Sequence, residues 1–366
     1  MKANEIIQCF EEWAPGYLAY EWDNSGLQIG SLDKEVSKVM VTLDVLENVV
    51  DEAIEKRIDF ILAHHPMLFS SIKSIDFQSP KGRLIQKLIK HDITVYAAHT
   101  NLDVAANGVS EMLAKELDVE NTEILFPSEQ ETLLKLVVYV PNTHVEKVKQ
   151  ALGESGAGHI GNYSDCMFET KGEGQFKPLE GTSPFLGEQG KVERVEETKI
   201  ETILPANRLR SIIKSLHDAH PYEEVAYDIY RLENQGMKYG AGRIGDLRKE
   251  MTLESFSQFI KERLDVPFVR VTGDLKQPIR RVAILGGSGK DFIEEVSKTD
   301  ADVYVTGDMS FHEAQDALEL GLSLIDPGHH VEKVMKQAVK EYFETRITEG
   351  VSFLISEANT EPFQFL

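Results

Sequence analysis

Three short strings in this chain collect side chains that bind metal ions: AHHP (Ala63–Pro66), AHTNLD (Ala98–Asp103) and PGHHVE (Pro327–Glu332). Each places His, Asp or Glu just beyond a short apolar run that reads as a β-strand. Zinc, iron and manganese sites are built from imidazole and carboxylate. Together the strings hold enough of both for two divalent ions, zinc first, with iron or manganese as alternatives. Two such ions ~3.5–4 Å apart can activate water and polarise an electrophile, the chemistry of a metal-dependent hydrolase. A single histidine at a strand end is more often a satisfied polar residue. The case rests on three strings that share one strand polarity.

The elements must bring these strings together. In open α/β sheets, ligands bind beyond the carboxyl ends of the strands. His64 and His65 are adjacent in an extended segment and point to opposite sides, so each can serve a different ion. Pro66 holds His65 extended. Asp103 lies four residues beyond His99 in a polar loop and can ligate or bridge. His99 can orient a ligand or shuttle a proton. His329 and Glu332 are three apart and share one face of a helix's first turn, at the positive end of its dipole.

The pattern along the chain is strand–helix–strand–helix–strand, then a different middle, then the same again. Residues 1–126 contain predicted strands Val39–Leu43, Phe60–Ala63 and Thr94–Ala98, with helices Glu47–Arg57 and Gly82–Lys90 between them. Residues 237–366 contain strands Arg281–Leu285, Val303–Val305 and Leu322–Ile325, with helices Asp291–Lys298 and His312–Leu320. This is an α/β reading: two pseudo-repeated βαβ halves forming one metal-bearing domain. Residues 127–236 read as an inserted α+β, ferredoxin-like module. Its strands are Leu134–Val140, Val195–Leu204 and Ala226–Leu232, its helices Thr143–Ser155 and Asn207–His217. A Gly-rich extended stretch runs from Gly156 to Gly190.

Composition narrows the function. The chain has 366 residues, 42 % of them hydrophobic, and a net charge of −22. That balance argues against a nucleic-acid groove or an acidic membrane surface. An anionic small substrate stays open, because metals supply local positive charge. Two cysteines, Cys9 and Cys166, exclude a disulfide framework and suit a reducing compartment. The opening MKANEIIQCFEEWAP lacks the basic flank and apolar core of a secretory signal. A soluble, cytoplasmic protein is expected.

Other strings carry weaker signals. GGSGK (Gly286–Lys290) lacks the spacing of a phosphate loop and reads as a tight turn, with an anion nest as the alternative. Thr306, Asp308 and His312 can reach the same cleft, and Asp308 or Ser310 can cap the following helix. HPYEE (His220–Glu224) reads as a loop, and Cys166 as core.

WDNSGLQIG (Trp22–Gly30), AHHPMLF (Ala63–Phe69), AHTNLDVAANGV (Ala98–Val109), TGDMSFHEA (Thr306–Ala314) and DPGHHVE (Asp326–Glu332) resemble the Nif-three-like family, also called GTP cyclohydrolase I type 2 homologues. The resemblance covers both halves in order. The middle part resembles the PII- or CutA-like insertion of longer members. The resemblance implies a dinuclear metal centre and a toroidal homohexamer. It carries the ligand role to His64, His65, Asp103, His329 and Glu332. Some members place the Glu where Lys333 stands here, and His330 is an alternative to His329. It also implies hydrolytic opening of the guanine ring of GTP. The competing class is a non-catalytic scaffold whose inserted module binds a partner or metabolite.

Overall fold

The computed structural model describes residues 1–365. Contacts divide it into a host unit, residues 1–129 and 239–366, and an inserted unit, residues 130–238. In chain order the host begins with helix α1 (Ala3–Glu11), strands β1 (Gly26–Ile29) and β2 (Lys38–Thr42), helix α2 (Glu47–Glu55), strand β3 (Phe60–Ala63), helix α3 (Pro80–Lys90) and strand β4 (Thr94–Ala97). Helices α4 (Thr100–Val104) and α5 (Val109–Glu116) lead into strand β5 (Val119–Pro141). Then come α6 (Val145–Glu154), β6 (Met167–Phe176), β7 (Glu193–Pro205), α7 (Leu209–Ala219) and β8 (Tyr227–Thr252). The rest of the host is α8 (Leu253–Arg263), β9 (Arg270–Thr272), β10 (Pro278–Ser288), α9 (Ile293–Ser297), β11 (Val303–Gly307), α10 (Phe311–Glu319), β12 (Ser323–Asp326), α11 (Met335–Arg346) and β13 (Ser352–Ile355).

Two sheets make the host. The first has the order β1-β4-β3-β2-β13, and the second, in its host part, runs β5-β8-β10-β11-β12-β9. In each, three consecutive strands are parallel and linked by helices, and a short preceding strand pairs antiparallel with the third. Local detail repeats as well. The Asp59 carboxylate, just before β3, accepts from the backbone N–H of Ser37 and Lys38; Asp302, just before β11, accepts likewise from Arg280 and Arg281. Strands β3 and β4 are buried along their whole length, as expected of a parallel sheet covered on both faces. Helix α1 buries Ala3, Ile6, Ile7 and Phe10, one helical stripe.

The insert folds on its own core. Leu136, Val138 and Val140 of β5 and Ile200 and Leu204 of β7 pack against Val148 and Leu152 of α6 and Ile212 and Leu216 of α7. Its strands lie in the order β6-β7-β5-β8. In the sequence, β6 reads only as part of the Gly-rich extended stretch from Gly156 to Gly190. All ten of its residues pair within a ladder that runs from Met167↔Thr202 to Phe176↔Glu193, yet most are exposed, so no apolar alternation betrays the strand. Strands β5 and β8 are also far longer than expected, because their added lengths are rich in Glu, Gln and Gly.

The host's cores contain no residue of 130–238, and Gly240 lies against Phe126 and Pro127. Replacing Gln130–Lys238 by a two-residue Asn-Gly turn should therefore close β5 onto β8 as a hairpin. The shortened protein should stay soluble and keep the metal content per chain of the full protein, measured by elemental analysis. Aggregation with loss of metal would show that the insert completes the host.

Candidate metal centre

The parallel strands of both sheets deliver side chains from their carboxyl ends. Asp44 follows β2, His64 and His65 follow β3, and His99 and Asp103 follow β4. Asp308 follows β11, and His329 and Glu332 lie beyond β12. Asp103 does not sit in a loop, as the sequence suggested. It belongs to the five-residue helix α4, which starts directly after His99. His329 and Glu332 share a 3₁₀ turn, His329–Val334, that leads into α11.

The donor atoms form three overlapping groups: His64, Asp103 and Glu332; His65, His329 and Glu332; His64, His65 and His99. Within each, the candidate atoms lie within 4.8 Å of one another. Adjacent His64 and His65 thus join different carboxylate groups, and Glu332 belongs to both. Its Oε2 is 3.0 Å from His65 Nε2, 3.1 Å from His329 Nε2 and 3.7 Å from His64 Nε2. His330 is in none of the groups, nor is His312, whose ring meets Gln315 at the surface.

Each imidazole is oriented through its other nitrogen. His64 Nδ1 donates to the Ala98 carbonyl, and His65, His99 and His329 hold Asp44, Asp23 and Asp308 through Nδ1, all at 2.7 Å. These partners leave Nε2 free to offer a lone pair, the arrangement that accompanies metal-bound histidines. Asp23 belongs to the WDNSG string and Asp44 to a strand end, so both were open to notice. Asp308 adopts φ +60°, a strained conformation for a non-glycine residue at a site where its carboxylate is needed.

The electrostatics call for a cation. Burial pushes the His65 imidazole down, but Asp44 and Glu332 outweigh it and raise its pKa to about 10. His329 is likewise depressed by burial and raised by Glu332 and Asp308, to about 9. Burial pushes the Glu332 carboxyl up, and His64, His329 and His65 hold it well below its ordinary range. Asp23 is raised by burial, yet its bonds from His99, Ser25 and Thr100 hold it well below the carboxylate range. Two buried atoms, His64 Nε2 and Asp103 Oδ1, have no hydrogen-bond partner. Buried polar atoms without partners are rare, and here they lie 3.6 Å apart. A divalent ion between them would satisfy both, so the residues fit a metal.

The GGSG string shapes the wall of this site. A Cβ on Gly287, whose φ is +63°, would stand 2.7 Å from Glu332 Oε1 and 3.4 Å from His329 Nε2. The glycine lets the backbone approach the carboxylate. The pairing of β10 with β11 shifts register across this string, between Ile284 and Ser288. Thr306 closes the loop through Gly289 N and Gly287 O. Ser310 and Glu313, rather than Asp308, cap α10.

A family model described as Duf34/NIF3 (NGG1p interacting factor 3) matches residues 1–362. A Bacillus subtilis protein called GTP cyclohydrolase 1 type 2 homolog is 50 % identical over 369 residues, covering 100 % of this chain and 99 % of that protein. A protein of the same name from Halalkalibacterium halodurans is 49 % identical over 364 residues, covering 99 % and 98 %. The crystal structure of a Bacillus cereus protein related to NIF3 superposes with a TM-score of 0.90 at 49 % identity, covering 100 % of this chain and 99 % of that one.

Proposed function

The chain belongs to the Duf34/NIF3 family, and on that premise we propose that its histidine–carboxylate cluster is the dinuclear centre of a metal-dependent hydrolase acting on a nucleotide. His64, His65, Asp103, His329 and Glu332 would hold the ions, Glu332 being the residue that belongs to both carboxylate-containing donor groups. Divalent ions there would supply Lewis acidity and make water a nucleophile near neutral pH. Zinc suits the imidazole-rich donor set, and iron or manganese would be tolerated.

The observation that carries a catalytic reading is access. A structural site is closed. Here the His329 side chain is 38 % exposed, and Trp22, 63 % exposed, stands 6.3 Å from the His99 ring. Asp23 keeps the His99 proton on Nδ1, so Nε2 can take a proton from water in the cleft and return it to a leaving group. His64 and His65 are fixed on Ala98 and Asp44 and present Nε2 without rotamer freedom. Two dications would offset most of the charge of Asp103, Glu332 and the Asp23, Asp44 and Asp308 carboxylates behind the imidazoles, and their open positions would be where an anionic substrate meets positive charge on a chain of charge −22.

GTP is the first substrate to test, because the relatives named above are called GTP cyclohydrolase 1 type 2 homologs. Metal-loaded protein should release formate from GTP, and His64→Ala should not. Absence of turnover across nucleotides, cyclic amides and phosphoesters would leave a binding protein. Asp23→Asn should lower turnover roughly 10–100-fold, as loss of a histidine's outer partner does, with the metal content kept. His99 also lies in a donor group with His64 and His65, which favours a second reading as a sixth ligand. His99→Ala decides by elemental analysis: a proton carrier leaves the metal in place, a ligand takes some with it.

We read the two halves of the host as copies of one unit and the β-α-β-β-α-β insert as a ferredoxin-like module of PII or CutA type. A homohexamer is proposed from the family resemblance. Sedimentation of the purified protein tests it, and a monomer would remove it.

A further inference from the structure

The insert contains a second place where a ligand fits, unrelated to the metal cluster. One face of β7 carries Ile200 and Leu204 into the core, so Glu197 and Lys199 point to the other face. There the partner strand β6 brings Gly172 opposite Glu197 and Gly174 one step further along that face. Neither glycine has a side chain to cover the sheet. A Cβ on Gly172 would meet nothing within 4 Å, and one on Gly174 would collide with Glu197 Oε2 at 2.0 Å. The bare stretch opens into a cavity of about 730 Å³, within the range of small-molecule sites.

Four aromatic residues line it, Tyr139, Phe176, Phe185 and Tyr222. Phe176 and Phe185 stand 5.8 and 6.3 Å from the Tyr222 ring. Glu197 is only 8 % exposed, and its Oε1 accepts from the Tyr222 hydroxyl at 3.0 Å. Among the described residues, no ion pair neutralises it. Lys199, nearest along the strand, is engaged by Glu201 at 2.8 Å. Lys171 and Lys177 also line the cavity but are exposed. The buried charge is therefore negative, and aromatic faces surround it.

We propose that this pocket binds a compact organic cation, an amine or quaternary ammonium with an apolar body. Glu197 supplies the counter-charge, and the rings of Phe176, Phe185 and Tyr222 supply the electron-rich faces that attract a desolvated cation. The proposal does not depend on the metal centre, and metal-free protein serves equally well for its test.

Titration calorimetry of the full chain with benzyltrimethylammonium should show saturable binding at one site per chain. Benzenesulfonate, a flat anion of similar size, should bind at least tenfold more weakly. Glu197→Gln should weaken the cation at least tenfold. Gly172→Leu should abolish binding by filling the cavity, with the melting temperature unchanged, since its side chain enters open space. Three results would overturn the proposal: no saturable cation binding up to millimolar concentration, tighter binding of benzenesulfonate, or cation binding that survives both substitutions. If Glu197→Gln fails to fold, Gly172→Leu and the anion comparison still decide.

Discussion

Glu332→Ala will leave the protein with less than half its divalent metal. Its carboxylate is 3 % exposed and lies within 3.0–3.7 Å of three imidazole nitrogens, so both carboxylate-containing donor groups lose the same member. Removing a partner that only orients a ligand costs roughly 10–100-fold in affinity. Loss of a ligand shared by two ions should exceed that range. Elemental analysis after dialysis against buffer at fixed metal concentration reads the effect. A Glu332→Ala protein that keeps the wild-type metal content would refute the assignment and point to Asp103 as the shared ligand.

Gly287→Ala is expected to be nearly as damaging without touching any ligand. Alanine at φ +63° costs roughly 1–2 kcal/mol of backbone strain. Its Cβ would also press on Glu332 Oε1 at 2.7 Å and force the carboxylate away from the histidines. Gly321→Ala is the matched control: its φ is +76°, and a Cβ there meets nothing within 4 Å. Both variants should lose a similar amount of stability in urea unfolding, about 1–2 kcal/mol, whereas Gly287→Ala alone should lose metal. Equal metal content in the two would mean that the glycine serves only the turn.

The parallel strands of each half were legible because they are short, apolar and buried on both faces, and the candidate ligands stand at their ends. The structure brings His64, His65, Asp103, His329 and Glu332 together from those positions. Less legible were elements stabilised by partners distant in sequence. Strand β13 has four residues and pairs with β2, more than 300 positions earlier. Strand β6 is an exposed edge with no apolar pattern. Asp44, Asp23 and Asp308 act by orienting rings, a role that depends on where the partner imidazole lies rather than on local spacing. Gly287 read as a turn residue, and only the nearby carboxylate explains why nothing larger fits.

The layout of the two halves also sets an order of events at the ribosome. His64, His65 and Asp103 emerge early, but Glu332 lies 229 residues beyond Asp103, and β13, which completes the first sheet, comes later still. At roughly 5–20 residues per second, the early ligands wait on the order of 10–50 s for their partner. The insert, with its own core, is synthesised inside that interval and can fold while the host cannot. Released thiol-free histidines and carboxylates of the first half are meanwhile open to any ion that passes. Metal captured during synthesis would be held by a half-site, and only the arrival of the last quarter of the chain would lock it in.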